Sequence, residues 1–185
     1  MIKIDLDDTY EPISIIHYSA EFTYQSEFIF QSELEQGNSV DLHIRFSKID
    51  DNFLPNVYNL AFGPINDKNE IDDKAKIPHK NLNKLFSSII LFVITFLDSY
   101  DNARVGIDGS NETRAYLYHR IFLSNQSELK ETLITVGVDW YVRLLRNGSI
   151  EVDSNGLPFF KPKPEPFDLA RKATDLYRYY LIELK

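Results

Sequence analysis

The chain predicts an α+β fold, an antiparallel sheet packed on one face by a buried helix pair, on three observations. Strand-like segments crowd the sequence up to Phe62, without the regular strand–helix alternation of a doubly wound sheet. A long, almost wholly apolar helix pattern follows, with a second helix after one short strand. Near the end, Asn147-Gly148 sits between apolar runs, the strongest short-range hairpin signal.

The elements follow in order. Ile13 to Ala20 and Phe22 to Gln31 are β-branched and aromatic with partial alternation, and read as strands. Gln36-Gly37-Asn38 is a turn, after which Val40 to Phe46 alternates apolar and polar without a break, the pattern of a half-buried antiparallel strand. Val57 to Phe62 is a further strand, stopped by Gly63-Pro64, and an acidic loop runs from Asn66 to Asp73. Asn81 or Asn83 caps a helix to about Ser99, whose Leu85, Phe86, Ile89, Ile90, Val93 and Phe96 leave little polar face. Val105 to Ile107 is a short strand and residues 111–123 are the second helix. A third helix is expected from Ser124 or Ser127 to Thr135, ended by Gly137. Trp140–Leu145 and Ser149–Val152 form the hairpin, Pro158 to Pro166 reads as a stiff surface connector, and Tyr177 to Leu184 favours a closing strand.

Composition narrows the function classes. Of 185 residues 43% are hydrophobic and 14% aromatic, with 13 Phe and 11 Tyr, which suits one folded domain over residues 1–185 with the hairpin and proline connector inserted at about 138–166. Cysteine is absent, which excludes disulfides, thiolate metal sites and a Cys nucleophile. The first residues turn acidic at once and have no apolar stretch, so no signal peptide is expected. The longest apolar run, Leu85 to Leu97, contains Ser87, Ser88 and Thr95 and falls short of the roughly 20 residues a bilayer needs. A cytoplasmic protein without membrane contact is the expectation. The net charge of −8 is uneven: residues 1–80 hold 7 Lys+Arg against 15 Asp+Glu, whereas residues 81–185 hold 13 of each. That balance does not favour nucleic acid, which is held by phosphate neutralisation, although a local basic patch is open to the second part.

The segment richest in chemistry is Arg104 to Ile121. A strand feeds a helix through Gly109-Ser110, gathering unpaired backbone N–H groups where an anion would sit. Arg114, Leu117, Tyr118 and Ile121 share one helix face, so Arg114 is expected to turn inward with its apolar neighbours. Its partner is then either a carboxylate, Asp72 or Asp73, or a bound phosphate or carboxylate ligand held by Gly109, Ser110, Arg114 and Tyr118.

Four pieces carry a family resemblance: Tyr58-Asn59-Leu60-x-Phe62-Gly63, Glu70-Ile71-Asp72-Asp73, the apolar helix, and Gly109-Ser110-x-x-x-Arg114-x-x-Leu117-Tyr118 before a closing Tyr/Leu/Ile strand. In this order they resemble a family of small proteins found mainly in Bacteroidota-type bacteria that carry a domain of unknown function. The resemblance is close over about residues 55–121. It departs at Asn111, where the family usually has Thr, and at the hairpin with its proline connector. It implies one compact domain and brings no catalytic residue; it also suggests genes of the toxin–antitoxin or phage-defence kind.

The other constellations are thinner. Glu70 to Asp73 lacks the ligand spacing of a calcium loop, and no metal or other cofactor is expected. His17 and His43 lie in strands, either facing one another or on a solvated face; His119 is expected to point to solvent. Arg143, Arg146, Lys161, Lys163, Arg171, Lys172 and Arg178, near Tyr177, Tyr179 and Tyr180, make a basic and aromatic zone for RNA, or a strand edge guarded by charge. Two functions follow: an interaction protein with a protein partner or self-association, or an enzyme or binding protein for a phosphate-bearing nucleotide or RNA substrate, with Tyr118 or His119 assisting the cradle.

Overall fold

The computed structural model describes residues 1–19, 25–109 and 111–185. The strand expected from Phe22 is seen from Ser26, and its first residues, like Ser110, lie outside the described ones. Among the described residues the order is β1 (Pro12–His17), β2 (Ser26–Glu33), β3 (Ser39–Lys48), β4 (Val57–Gly63), α1 (Leu82–Ser99), β5 (Arg104–Asp108), α2 (Glu112–Ser124), α3 (Gln126–Leu129), β6 (Leu133–Val142), β7 (Phe160–Pro166) and β8 (Tyr179–Leu184). The strands form one sheet in the order β1-β2-β3-β4-β5-β8-β6-β7.

The fold is α+β, but the sheet is mixed, which corrects the antiparallel expectation. β4 and β5 run parallel, with Tyr58 opposite Val105. The cause is α1, which carries the chain from one end of β4 back to the start of β5; such a crossover returns the next strand in the same direction. Alternation along β2 and β3 puts Phe28, Phe30, Leu42, Ile44 and Phe46 on one face, where all are buried. α1 meets them with rings: Phe92 stacks on Phe28 at 5.1 Å and Phe96 on Phe46 at 4.1 Å. α2 adds Tyr118 and Phe122, at 6.3 and 5.5 Å from Tyr180 of β8. On the opposite face a smaller cluster joins Leu54, Val57, Val138 and Leu181.

By length and composition α1 is long and apolar enough to cross a membrane. Here it is a core helix: Asn81 caps it by accepting the Lys84 N–H at 3.0 Å, and ten of its residues are buried. Its two buried serines hold the N-terminal segment, Ser87 Oγ accepting the Asp5 N–H at 2.9 Å and Ser88 Oγ that of Tyr10 at 2.7 Å.

Three C-terminal expectations are corrected. The third helix is only Gln126–Leu129, and the residues assigned to its end begin β6. After Leu133, Ile134-Thr-Val is a β-branched run that pairs with β8, and Gly137 lies within the strand, where a Cβ would strike the Tyr177 ring at 2.3 Å. The proline segment is a strand, at the sheet edge. Pro162, Pro164 and Pro166 recur every second residue, so their missing N–H groups all fall on the unpaired side, while Lys161, Lys163 and Glu165 keep theirs for β6. β8 is not an edge strand; it lies between β5 and β6 with Tyr180, Leu181 and Ile182 fully buried.

Between β6 and β7 the chain makes a small arm of two successive turns. The Leu145 N–H donates to Ser149 O at 2.8 Å and the Asp153 N–H to Leu157 O at 2.8 Å, with Gly148 and Gly156 at φ +83° and +78° in the left-handed position these loops require. Bridges join Leu144 to Ile150 and Val152 to Pro158. The hairpin thus forms across Asn147-Gly148, but Trp140 to Val142 pair with β7 instead of the returning segment.

Candidate functional site

α2 begins where Asn111 turns extended and its side-chain oxygen accepts the Arg114 N–H at 2.9 Å. That cap occupies a donor an anion would have used. Gly109, before it, is buried and donates its N–H to Arg178 O at 2.9 Å; a Cβ there would come within 3.1 Å of the Ala115 Cα. Glycine is therefore needed for close strand–helix packing, and its amide is already engaged. Ser110 lies outside the described residues.

Arg114 turns sideways rather than into the core, its side chain 22% exposed. Its Nη1 donates to Asp73 Oδ2 at 2.8 Å and its Nη2 to the Asp73 carbonyl. Of the two expected partners, the carboxylate is the one present, and Asp72 instead accepts the Lys74 N–H at 3.1 Å. The Asp73 hydrogen bond and charge, with Asp108 nearby, hold the Arg114 pKa above its ordinary value against partial burial. The buried residues of α2 are Ala115, Tyr118, His119, Ile121 and Phe122: Tyr118 and Ile121 of the expected face are buried, while Arg114 and Leu117 lie on its flank. Tyr118 is buried and its hydroxyl pKa is pushed up to about 12, first by burial, with Asp108 and Asp73 opposing Arg114. Asn59, Leu60, Ala61, Phe62, Asp73, Asp108, Arg114 and Tyr118 wall a cavity of about 100 Å³. The expected cradle therefore comes together only in part: Arg114 and Tyr118 share a cavity, and Gly109 stands behind it as packing.

Of the histidines, His17 is exposed, as one of its expected positions has it, and His119 departs from expectation. His17 hydrogen-bonds Ser26 and His43 sits opposite Ile29, so the two lie on different faces of the sheet. His119 is 4% exposed, its ring tilted against Phe167 at 5.1 Å, and its Nδ1 is buried without a hydrogen bond among the described residues. Its expected solvent-facing position is wrong because Phe167, after β7, folds over that side of α2. Burial, with Arg120 and Arg171 nearby, lowers its pKa.

A charged group that sequence reasoning missed lies on the face of β2 and β3 away from α1. Glu27, buried, accepts from Tyr18 Oη at 2.7 Å, Arg45 Nε at 2.7 Å and His43 Nδ1 at 2.8 Å. Burial works to raise its pKa, but the hydrogen bonds from His43, Tyr18 and Arg45 hold it below the usual carboxylate range. The only signal was that Glu27, His43 and Arg45 share a parity across two strands. Arg45 Nη1 also donates to Asn69 O at 2.9 Å, so the group ties the acidic loop to the sheet.

The basic and aromatic C-terminal zone is divided: Arg143, Arg146, Lys163, Lys172 and Arg178 are exposed, whereas Arg171, Lys161 and two of the tyrosines are engaged within the fold. Arg171 donates to both Asp139 oxygens and to Glu165, and lies 3.7 Å over the Tyr177 ring. Lys161 pairs with Glu151 at 2.8 Å, and Tyr177 and Tyr180 are fully buried. Those groups cannot stack on bases as placed. No group of three or more His, Asp or Glu side chains that could hold a metal occurs among the described residues.

No curated protein and no solved structure matches the chain. The model of a family of unknown function, DUF6934, matches residues 16–148. The matched stretch is wider than the 55–121 on which the resemblance rested: it takes in the end of β1, β2 to β6 and the start of the arm, and stops before β7 and the central β8. The chain belongs to this family of unknown function, DUF6934.

Proposed function

We propose that the protein is a non-enzymatic interaction module that meets a protein partner through the arm between β6 and β7. The observation that carries this reading is the arm's exposed apolar surface. Leu144 is 70% exposed, and Trp140, Tyr141, Ile150, Val152, Leu157 and Phe160 stand open beside it. Apolar residues gathered this densely on one protrusion are the ordinary mark of an interaction surface. The arm's base is fixed, with Phe159 6.1 Å from Phe53 and Lys161 Nζ 4.9 Å from the Phe159 ring, so the apolar side chains are presented on an ordered support. Arg143 and Arg146 form no ion pair among the described residues and would favour an acidic partner surface.

In this proposal the chain is one domain carrying the arm as an insertion, with both long helices on one face of its sheet. It works in the cytoplasm, within a toxin–antitoxin or phage-defence gene pair. The phosphate-substrate alternative requires Arg114 to leave Asp73, and the occupied Gly109 amide and Asn111 cap weigh against it. The test is co-purification with the protein encoded by the neighbouring gene. Leu144→Asp should leave a folded monomer that no longer carries the neighbour, and co-purification equal to wild type would refute the arm's role.

A further inference from the structure

We propose that the cavity beside Arg114 is a binding site for the head of an organic cation, an alkylammonium or guanidinium group, rather than for an anion. This does not depend on the arm reading, since the two surfaces use different residues.

The charge balance comes first. Two carboxylates, Asp73 and Asp108, line the cavity with one guanidinium, Arg114. Asp73 is engaged by Arg114 at 2.8 Å, whereas Asp108 has no ion pair or hydrogen bond among the described residues. The cavity walls thus carry two carboxylates against one guanidinium, and Asp108, exposed to solvent, is the carboxylate left open to an entering cation.

The second observation is independent of the acids. Tyr118 is only 8% exposed, and its hydroxyl makes no hydrogen bond among the described residues. The charges that act on it are those of Arg114, Asp108 and Asp73, all cavity walls, so the hydroxyl sits at the cavity. The hydroxyl oxygen keeps contact with solvent at the cavity, and a phenol oxygen with no protein partner is a natural acceptor for a ligand N–H. Asn59 adds a side-chain amide whose oxygen accepts from Tyr179 Oη at 3.4 Å.

Size sets the ligand class. A cavity of about 100 Å³ admits several waters, and so the head of an alkylammonium or a guanidinium. Leu60, Ala61 and Phe62 supply the apolar wall that the methylenes of such a group would touch. The same head group is carried by a free amine and by a lysine or arginine side chain of a partner.

Amide NMR titration of the full chain separates the outcomes, with n-butylammonium, methylguanidinium, a lysine-containing peptide and inorganic phosphate as probes. Cations should shift Asn59, Asp108 and Tyr118 saturably at millimolar concentration, with phosphate inert. D108N should bind about tenfold more weakly and Y118F several-fold more weakly, both melting like wild type. Saturation by the free amines assigns the site to a small molecule, and saturation by the peptide alone assigns it to a partner's side chain; either supports the proposal. Phosphate shifting the same amides, no probe shifting them, or D108N binding as wild type would overturn it. Leu144→Asp should bind the cations normally, so the arm reading can fail while this one stands.

Discussion

Phe46 and Phe160 are the same residue in two strands of one sheet. Phe46 in β3 is fully buried beneath the Phe96 ring of α1, while Phe160 in β7 is 58% exposed. Near α1 and α2, every aromatic on the covered face of β2, β3 and β8 has a ring from a helix or a neighbour against it. At the other end, the edge strand and its arm carry as much apolar surface with little over it. The pattern of a strand therefore fixes which side chains share a face, and burial depends on whether another element reaches that face. Where none does, the apolar surface stays exposed.

The comparison is broken most violently from the buried side. Phe46→Ala should cost about 3–5 kcal/mol, because both the ring's burial and its stack on Phe96 are lost and a cavity remains. Urea unfolding measures it. Arg171→Ala should follow at about 1.5–3 kcal/mol, since it strips charged hydrogen bonds from Asp139 and Glu165 beneath the Phe167–Tyr177 segment. The same variant would test whether that segment holds Phe167 over His119.

Acid should weaken the fold next. Burial lowers the pKa of His79 and of His119, so the folded protein resists protonation. Above about pH 6.5 both states are neutral at these sites and the full stability is present. As pH falls through that value the unfolded chain gains protons the folded one refuses, and the melting temperature should drop. Glu27 works lower on the scale: its depressed folded pKa contributes stability that is lost as pH falls below about 4.5. Thermal melts from about pH 8 to about pH 2 check both windows, and His119→Phe should flatten part of the upper one, leaving the share of His79.

Arg114→Ala is expected to cost no more than about 1 kcal/mol, as its pair with Asp73 is partly open to solvent. A loss as large as that of Phe46→Ala would mean the guanidinium is as deeply set as its place in the sequence suggested.

Much of this was legible beforehand, for reasons the residues make plain. Val40 to Phe46 alternates strictly, so its two faces could be assigned without a structure. The α1 segment is long and nearly all apolar, and Asn81 marks its start. The errors arose where local pattern has two physical solutions. Leu133 to Thr135 follow a helix turn and read locally as its continuation, though Ile134 and Thr135 are β-branched and suit the strand they form against β8. The prolines of β7 seemed to forbid a strand, and they forbid only an interior one. Arg114 was placed with its apolar neighbours on one helical face, but about 100° per residue lets a flank position turn aside to Asp73. The Glu27 group was invisible because strand register, which no local signal sets here, brings its members together.

The central claim is that the arm and its edge strand contribute surface to a partner and little to the fold. The unfolding free energy of Phe160→Ala tests it most directly. A value within about 0.5 kcal/mol of wild type is expected, and a loss approaching that of Phe46→Ala would contradict the account.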